Sequence, residues 1–463
     1  MLDAIRWDTA LIRRYEQASP GYNTYPDEEQ FSPNVGSFEV LHALRDSHRS
    51  GRPLSLYLHL PFCANLCYYC TSNKVITKDR GRARFYLELL EKEIAMVARH
   101  VGHQQRVEQL HFGGGTPTFL SHDELRRLMA CLRTHFNLLE DNHGDYGIEV
   151  DPREADWQTM GLLRELGFNR VSLSVQALDP EVQLAINRLQ SLEQTRTIIE
   201  AARTLQYRSI NVDLLYGLPK QTPQRFAHTV EAMIELQPDR LTLSHHEHCP
   251  DRYSAHRRIN PAELPGPELK LEMLQGSVEQ LTAAGYRFIG MNHFVLPDDE
   301  LAMIQEDGNL QYNLLGYVGQ NHCDLIGLGV SAISRIGNLY SQNHSDLTSY
   351  QQSLDYEQLP VWRGLKDTPD DQLRRAVIQS LICRFDLDIV ALEKNYGINF
   401  QIYFADIYAA LLHMAKDGLL KLNAQRLEIL PEGRLLAQSI CQLFDRYSPL
   451  CKTTIDAPGA LIT

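Results

Sequence analysis

Long apolar runs are missing from this sequence. None of its 463 residues falls in an uninterrupted apolar stretch of about 18, the length needed to cross a bilayer. Residues 1–8 (MLDAIRWD) also lack the charged-then-apolar order of a signal peptide. The hydrophobic content of 43% is nevertheless ordinary for a globular protein, so a chain of this length can bury a large core. We therefore expect a soluble, cytoplasmic protein with no membrane partner.

Positive charge is scarce as well. The formal net charge is −13, and lysine and arginine nowhere form a block of about five to eight residues. Such a chain repels a polyanion at long range, so we expect no nucleic acid partner. A small anionic ligand stays open, because a buried pocket needs only a few placed basic side chains whatever the total charge.

The cysteines do not form a disulfide pattern. Nine occur in a chain without a secretion signal, which favours reduced thiols over disulfides. Three of them lie close together and are candidates for chemistry. Six stand alone, and we expect them to be small buried hydrophobic side chains. These are Cys131, Cys249, Cys323, Cys383, Cys441 and Cys451.

The three grouped cysteines are Cys63, Cys67 and Cys70, directly after a strand-like apolar run. Thiolates are the usual ligands of iron–sulfur clusters, and a four-iron cluster held by three of them leaves one iron open for a cofactor or substrate. The alternative is a zinc site, which normally closes with four ligands and uses paired Cys-x-x-Cys units. The sequence has no second pair, so the spacing favours a 4Fe-4S cluster.

From about residue 54 to residue 335, short apolar runs alternate with segments of helical period. This alternation is typical of repeated βα units around a parallel sheet, and it predicts an α/β fold built as a partial (β/α)6 TIM-like barrel. The six predicted strands are Leu54–Leu60, Gln109–Gly113, Tyr146–Asp151, Arg170–Gln176, Ser209–Leu218 and Asp239–His246. A further pair of runs, Phe288–Phe294 and Gly327–Ser334, is expected to extend the sheet.

The rest of the chain reads as an arm and a second domain. We predict an N-terminal arm over residues 1–50, the barrel over 51–350 and a mostly helical, winged-helix-like domain over 360–463. That last domain should contain helices Asp370–Arg384, Ile389–Tyr396 and Ile402–Lys416, strands Leu419–Leu422 and Arg426–Leu430, and a final helix from Glu432. It has no basic recognition helix, which favours a lid or docking role over DNA binding.

Glycines and polar residues follow the predicted strands. Gly113–Gly115 ends the second one, and residues without a Cβ let backbone N–H groups approach a ligand closely. In parallel barrels the loops at the carboxyl ends of the strands carry the chemistry. A single polar residue there is more typical of a solvated or capping position, but recurrence on successive strands favours a shared pocket. The recurring residues are Glu149, Asp151, Gln176, Arg188 and Asp213.

Several motifs together resemble the oxygen-independent coproporphyrinogen III oxidases, also called coproporphyrinogen dehydrogenases. The resemblance runs from the N-terminal arm to the last helix, which is close to the whole chain. It is carried by residues 61–70 (PFCANLCYYC), 113–118 (GGGTPT), 148–154 (IEVDPRE), 213–222 (DLLYGLPKQT), 327–334 (GLGVSAIS) and 380–383 (SLIC).

The resemblance implies a radical S-adenosylmethionine enzyme. In that family an electron from the 4Fe-4S cluster cleaves S-adenosyl-L-methionine, and the resulting radical removes hydrogen from a propionate, which loses carbon dioxide and becomes a vinyl group. Two propionates of the tetrapyrrole substrate, coproporphyrinogen III, are processed to give protoporphyrinogen IX. The protein positions and shields this cofactor chemistry. A reducing electron donor such as flavodoxin or ferredoxin and a monomeric state are also implied.

The resemblance also assigns site residues by matching position. Cys63, Cys67 and Cys70 would hold the cluster, and Tyr57, Gly114 and Glu149 would contact the cluster-bound S-adenosyl-L-methionine. A second S-adenosyl-L-methionine site would be lined by Tyr69, Gly115, Thr116, Gln176, Arg188, Asp213 and Ile333.

Several positions depart from the family pattern on loops expected to face the pocket, including residues 317–319 (YVG), where the family has Tyr-Thr-Thr. Ser72 stands where the family has a fourth cysteine, Gly21 replaces an arginine of the arm, Glu247 an alanine of the second cofactor site, and Asn292 an aspartate. Two alternatives therefore stay open, a paralogous radical enzyme that methylates or opens another tetrapyrrole, and a haem-binding or delivery protein. His245, His246, His248 and His293 could supply contacts to a porphyrin metal.

Overall fold

The structure is a computed structural model that describes residues 5–15, 25–140, 142–319 and 323–448. The chain forms two compact units. The larger one comprises Phe31–Gly285 and His322–Lys366, and the smaller one comprises Met1–Gln30, Tyr286–Asn321 and Asp367–Thr463. Among the helices of the described residues, none combines the length and apolar character that crossing a bilayer requires.

A mostly parallel sheet forms the centre of the larger unit. Its strands are β1 (Leu54–Leu60), β2 (Arg106–Gly114), β3 (Asp145–Val150), β4 (Arg170–Gln176), β5 (Ser209–Tyr216), β6 (Arg240–His245), β7 (Asp324–Leu328), β8 (Ile333–Ile336), β9 (Leu339–Asn343) and β10 (Val361–Lys366). They lie in the order β6-β5-β4-β3-β2-β1-β7-β8-β9-β10. Pairing is parallel from β6 to β7 and antiparallel from β7 to β10. The predicted α/β fold with six successive parallel strands is confirmed.

Buried strands and well-capped helices explain why this unit takes the βα pattern. All but one residue of β1 is buried, as expected for a parallel strand covered on both faces. Helix His122–His135 begins with a capping box between Ser121 and Glu124. The other helices of this unit are Ser37–Ser50, Arg80–Ala98, Trp157–Glu165, Pro180–Ala185, Leu192–Thr204, Pro223–Leu236, Pro267–Ala283 and Leu347–Asp355. Its short strands are Phe62–Cys63, Val75–Ile76 and Asn137–Leu138, and its 3₁₀ turns are Pro117–Phe119, Ser254–Arg258 and Pro261–Glu263.

The smaller unit is mostly helical, with helix Pro369–Arg384 at its centre, where ten residues are buried. A three-stranded antiparallel sheet lies in it, with Asp386–Asp388 and Leu420–Leu422 on either side of Arg426–Ile429. The remaining elements are helices Thr9–Tyr15, Glu300–Glu306, Ile389–Tyr396, Phe400–Tyr403, Ala405–Lys416 and Ala437–Gln442, hairpins Arg287–Gly290 with His293–Val295 and Gln311–Asn313 with Gly316–Val318, and the 3₁₀ turns Glu28–Gln30 and Arg434–Leu436. The predicted helical, winged-helix-like character is confirmed.

Three predicted elements are broken by turns. Phe288–Phe294 is a hairpin, because the chain reverses at Met291, which has a φ of 55°. Gly327–Ser334 is divided between β7 and β8, because Gly329 and Ser331 both take left-handed backbone conformations. The predicted helix Ile402–Lys416 is interrupted at Phe404. The final helix begins at Ala437 rather than at Glu432.

A buried carboxylate links helix Arg80–Ala98 to the β7–β9 region. Glu93 is 2% exposed and accepts hydrogen bonds from the Gly329 N–H (2.7 Å), the Asn343 side-chain amide (2.6 Å) and the Tyr350 hydroxyl (2.6 Å). Burial raises the pKa of Glu93 from 4.5 to about 7, although the three hydrogen bonds oppose this rise.

This raised pKa predicts a pH-dependent stability that Glu93→Gln removes. The folded chain binds the Glu93 proton more tightly than the unfolded chain, so the free energy of unfolding should fall as pH rises from about 4.5 to about 7, by up to about 3 kcal/mol. The free energy of unfolding of the parent protein and of Glu93→Gln is measured by urea unfolding at pH 5 and at pH 8. The difference between the two proteins should change between these pH values. An equal difference at the two pH values would contradict it.

Candidate active site

The three thiols follow the end of β1. Cys63 lies in a two-residue parallel pairing between Phe62–Cys63 and Val75–Ile76, while Cys67 and Cys70 lie on the following turn. Cys67 is buried, and Cys63 and Cys70 are partly buried. All three line one pocket. The structure thus brings together the cysteines that the spacing selected.

Hydrogen-bond donors surround two of the sulfur atoms. The Thr116 hydroxyl lies 3.5 Å from Cys63 Sγ, and the guanidinium groups of Arg153 and Arg188 lie 3.7 and 3.8 Å from Cys67 Sγ. Burial raises the pKa of Cys63 to about 12, although Thr116 opposes the rise. Without a bound metal this thiol therefore stays protonated, and a metal that coordinates it would displace the proton.

The glycine segment, Gly113–Gly115 at the end of β2, packs directly on the thiol loop, the residues 61–70 that carry the three cysteines. The Gly115 N–H donates to Leu60 O (2.9 Å) and the Thr116 N–H to Phe62 O (2.8 Å). A Cβ on Gly115 would lie 2.6 Å from the Pro61 carbonyl carbon, and Gly114 has a φ of 111°. Only glycine suits both positions, and both glycines line the thiol pocket.

Glu149 lines the same pocket from the end of β3. Its side chain is 38% exposed; Oε2 accepts from the Gly114 N–H at 3.2 Å, and Oε1 lies 3.6 Å from His111 Nε2. Tyr57 of β1 lies across the register from His111, stacks on its ring at 6.0 Å, and its hydroxyl lies 3.2 Å from His59 Nδ1. A partly exposed carboxylate next to a backbone segment without side chains can receive a cationic ligand group.

An ion network also lines this pocket. Asp151 Oδ2 lies 2.9 Å from Arg188 Nη1 and 2.7 Å from Arg153 Nη2. Burial alone would raise the pKa of Asp151, but the two arginines lower it to about 2. Asp151 is therefore ionised, and the network leaves a net positive charge beside the Cys67 sulfur. Sequence reasoning missed Arg153, although it stands inside the 148–154 motif.

Unsatisfied polar atoms mark this pocket as a ligand site. Gln176 Oε1 and Arg188 Nε are buried and have no hydrogen-bond partner within the described part of the chain. Both residues line the pocket, and Gln176 has a φ of 71°, an uncommon conformation for a residue with a side chain. The pocket suits an iron–sulfur cluster, which the three thiols would hold. The unpaired polar atoms and the glycine backbone suit a polar organic cofactor beside it.

The other predicted site residues divide into two groups. Tyr69 and Thr116 line the thiol pocket. Asp213 and Ile333 do not. Asp213 lies on β5 and accepts from the Ser172 hydroxyl at 2.8 Å, while Ile333 begins β8. The structure also places Asn65, Lys74 and Ser174 in the pocket lining. Asn65 lies inside the 61–70 motif, but none of the three was predicted to be a site residue.

Two family models match the chain. The Radical SAM superfamily model matches residues 57–233, and the HemN C-terminal domain model matches residues 367–436. The oxygen-independent coproporphyrinogen III oxidase of Pseudomonas aeruginosa is 63% identical over 449 residues, which cover 97% of this chain and 98% of that protein. The chain belongs to the oxygen-independent coproporphyrinogen III oxidase family.

Further members of this family agree in length and fold. The oxygen-independent coproporphyrinogen III oxidase of Escherichia coli is 44% identical over 448 residues, 96% of each chain. A solved structure of the coproporphyrinogen III oxidase from Escherichia coli, described as a radical SAM enzyme, aligns with a TM-score of 0.91 and 43% identity over 96% of this chain and 100% of that chain. Membership implies a 4Fe-4S cluster and S-adenosyl-L-methionine as cofactors.

The departures from the oxygen-independent coproporphyrinogen III oxidase pattern are scattered in the structure. Ser72 lines the thiol pocket, and its carbonyl accepts from Lys74 Nζ at 3.1 Å. Glu247 is exposed just beyond β6, and Asn292 lies in the turn of a hairpin of the smaller unit. Gly21 lies outside the described residues. Ser72 is therefore the departure that lies beside the cluster cysteines.

The single cysteines are only partly as expected. Cys383 and Cys441 are buried, but Cys131, Cys249 and Cys323 are partly exposed, so the expected burial is wrong for these three. Cys451 lies outside the described residues. None of the five described single cysteines lines the thiol pocket.

Proposed function

We propose that this chain converts two propionate side chains of coproporphyrinogen III to vinyl groups and so forms protoporphyrinogen IX. Each propionate loses one hydrogen atom, one molecule of carbon dioxide and one electron to an acceptor. The observation that carries the proposal is one pocket in which the three thiols, the glycine segment and Glu149 meet. The similarity over 97% of the chain to the oxygen-independent coproporphyrinogen III oxidase of Pseudomonas aeruginosa supports it.

The proposed cluster ligands are Cys63, Cys67 and Cys70. When bound, the cluster and S-adenosyl-L-methionine supply a radical that removes hydrogen from the substrate. The chain supplies the surroundings: Thr116, Arg153 and Arg188 direct donors at the sulfur atoms, which stabilises negative charge there. The parallel sheet holds the thiol loop and glycine segment side by side.

We assign the first S-adenosyl-L-methionine to Tyr57, Gly114 and Glu149. The Glu149 carboxylate suits the ammonium group of the cofactor, and the backbone of Gly114 offers close approach without a side chain. Tyr57 is outside the pocket lining and stacks on His111, whose Nε2 lies 3.6 Å from Glu149 Oε1. This arrangement supports an orienting role for Glu149 rather than a chemical step.

A second S-adenosyl-L-methionine is assigned to Tyr69, Gly115, Thr116, Gln176, Arg188, Asp213 and Ile333. The free oxygen of Gln176 and the charged Arg188 support this assignment, because both face the pocket with unused polar atoms. The support is weaker for Asp213 and Ile333, which lie on β5 and β8 outside the pocket lining. The electron donor is proposed to be a small reducing protein such as flavodoxin or ferredoxin, and the working state a monomer.

The proposal is tested by anaerobic turnover of the reconstituted protein with S-adenosyl-L-methionine, reductant and coproporphyrinogen III. Mass spectrometry should show the divinyl product and loss of two carboxyl groups for each substrate molecule. Cofactor cleavage with an unchanged tetrapyrrole, or with a methylated or opened one, would reject the proposal in favour of a paralogous radical enzyme. Stoichiometric haem binding without any cofactor cleavage would instead favour a haem-delivery protein.

A further inference from the structure

Three histidines gather beyond the end of β6, outside the thiol pocket. His246 follows β6 directly, His248 lies two residues on, and His256 belongs to the 3₁₀ turn Ser254–Arg258. A ligand nitrogen of each lies within 4.8 Å of those of the other two. The rings pack together, with centroids 5.1 Å apart for His246 and His256 and 5.8 Å for His248 and His256.

Two of these histidines have nitrogens with nothing to bind. His246 is 3% exposed, its Nε2 is buried, and the partly exposed His248 has a buried Nδ1; within the described residues neither atom has a hydrogen-bond partner. Leaving a buried polar atom unpaired costs about 1 to 3 kcal/mol, so such atoms usually have a water molecule, an ion or another ligand as partner. Two unpaired nitrogens in one cluster point to a shared ligand.

The third histidine is held in a defined tautomer. The Cys249 N–H donates to His256 Nδ1 at 3.0 Å, so the neutral ring carries its proton on Nε2 and donates it to Tyr69 O at 2.9 Å. Metal-bound histidines usually donate their second N–H to a carbonyl or carboxylate, which fixes the ring orientation. His256 already makes this second hydrogen bond through Nε2. On metal binding, Nδ1 would release the Cys249 N–H and coordinate the metal in its place.

We propose that His246, His248 and His256 form a binding site for one divalent transition-metal ion of the Zn²⁺ class. Imidazole nitrogens suit zinc, copper, nickel and cobalt, and three protein ligands leave a fourth position for water or another ligand. Zinc–nitrogen bonds of about 2.0 to 2.1 Å place tetrahedral ligand nitrogens about 3.4 Å apart, so modest side-chain rotations would close the present spacing.

Two properties of the surroundings support metal binding. Burial lowers the pKa of His246 to about 3, so its nitrogen stays unprotonated and available across the physiological range. His256 is fully buried and contacts the backbone of Tyr69 on the thiol loop. A metal ion bound here would stabilise the contact between the segment after β6 and that loop, and it would not use the iron–sulfur ligands.

Titration with Co²⁺ alone tests the site. The protein first receives its iron–sulfur cluster anaerobically, so that Cys63, Cys67 and Cys70 are occupied, and loosely held metal is removed with a chelator. We expect one equivalent of Co²⁺ to bind, with the ligand-field bands of four- or five-coordinate cobalt in the difference spectrum, and Zn²⁺ to displace it. The readout is metal binding and does not depend on turnover.

Variants distinguish the cluster from its neighbours. His246→Ala, His248→Ala and His256→Ala should each weaken Co²⁺ binding by at least about 100-fold, more than typical losses at outer-shell positions. His245→Ala is the matched control, because His245 is the adjacent but exposed histidine, and it should bind as the parent does. His248→Ala removes the least buried ring of the three, and retained iron content and circular dichroism confirm that it folds.

The proposal is overturned if the parent protein binds no stoichiometric Co²⁺. It is also overturned if His248→Ala, shown to be folded, binds Co²⁺ as tightly as the parent, or if His245→Ala abolishes binding as fully as the three cluster variants do. Loss of binding in the three variants, with retention in His245→Ala, establishes the site whether or not coproporphyrinogen is the substrate.

Discussion

Cys67→Ala is expected to abolish turnover, with a fall of at least about 1,000-fold, because the radical cannot be generated without a held cluster. Cys67 is the buried thiol of the three and has two guanidinium groups within 3.8 Å of its sulfur. Iron and sulfide content after anaerobic reconstitution and formation of the divinyl product measure the effect. Both should fall together.

Cys131→Ala is the control for this substitution. Cys131 is a partly exposed single thiol in helix His122–His135 and is absent from the lining of the thiol pocket. Its variant should keep full iron content and turnover. If Cys67→Ala retained the parent content of iron and sulfide, the assignment of the cluster to these three cysteines would be wrong.

The second large effect is expected from Asp151→Asn. This change keeps the side-chain shape but leaves Arg153 and Arg188 side by side without their shared carboxylate. Removing one partner of a buried ion pair costs about 3 to 5 kcal/mol, since an uncompensated buried charge is left behind. The free energy of unfolding should fall by about that amount, and S-adenosyl-L-methionine affinity should fall with it as Arg188 moves.

Asp123→Asn provides the surface comparison. Asp123 pairs with Arg126 at 3.4 Å, but its side chain is 97% exposed, and such pairs contribute about 0 to 1 kcal/mol. Urea unfolding and calorimetric titration of the cofactor would be run on both variants. Equal stability losses for the two would mean that the buried network contributes no more than an exposed pair.

The sequence predicted the parallel part of the fold well because its signals are local. Each of β1 to β5 is a short apolar run followed by a helix with a capping side chain, such as Ser121. The β7–β8 division escaped prediction because residues 327–334 are continuously apolar or small, and the reversal depends on left-handed conformations at Gly329 and Ser331. A left-handed serine has no sequence signal.

The same distinction applies to the site. Cysteine spacing is local, so the three thiols were found from the sequence alone. The Asp151–Arg188 pair joins residues 37 positions apart, and the histidine cluster joins His246 to His256 across a turn. In neither case are the residues related by a regular spacing in the sequence. Family matching selected Asp213 and Ile333, and only the structure shows that they are outside the pocket lining, although Asp213 pairs in register with the lining residue Ser174.

The backbone hydrogen bonds on either side of Cys63 fix the position of the first thiol within the fold. The Val75 N–H donates to Pro61 O (2.7 Å), the Thr77 N–H to Cys63 O (3.0 Å) and the Thr116 N–H to Phe62 O (2.8 Å). The chain around Cys63 is thus held by strand pairing, whereas Cys67 and Cys70 lie on a turn. Ordering a residue costs about 1 to 2 kcal/mol of backbone entropy. Strand pairing offsets that cost at Cys63, and the Tyr68 N–H, which donates to Ile186 O at 2.9 Å, offsets part of it on the turn between Cys67 and Cys70.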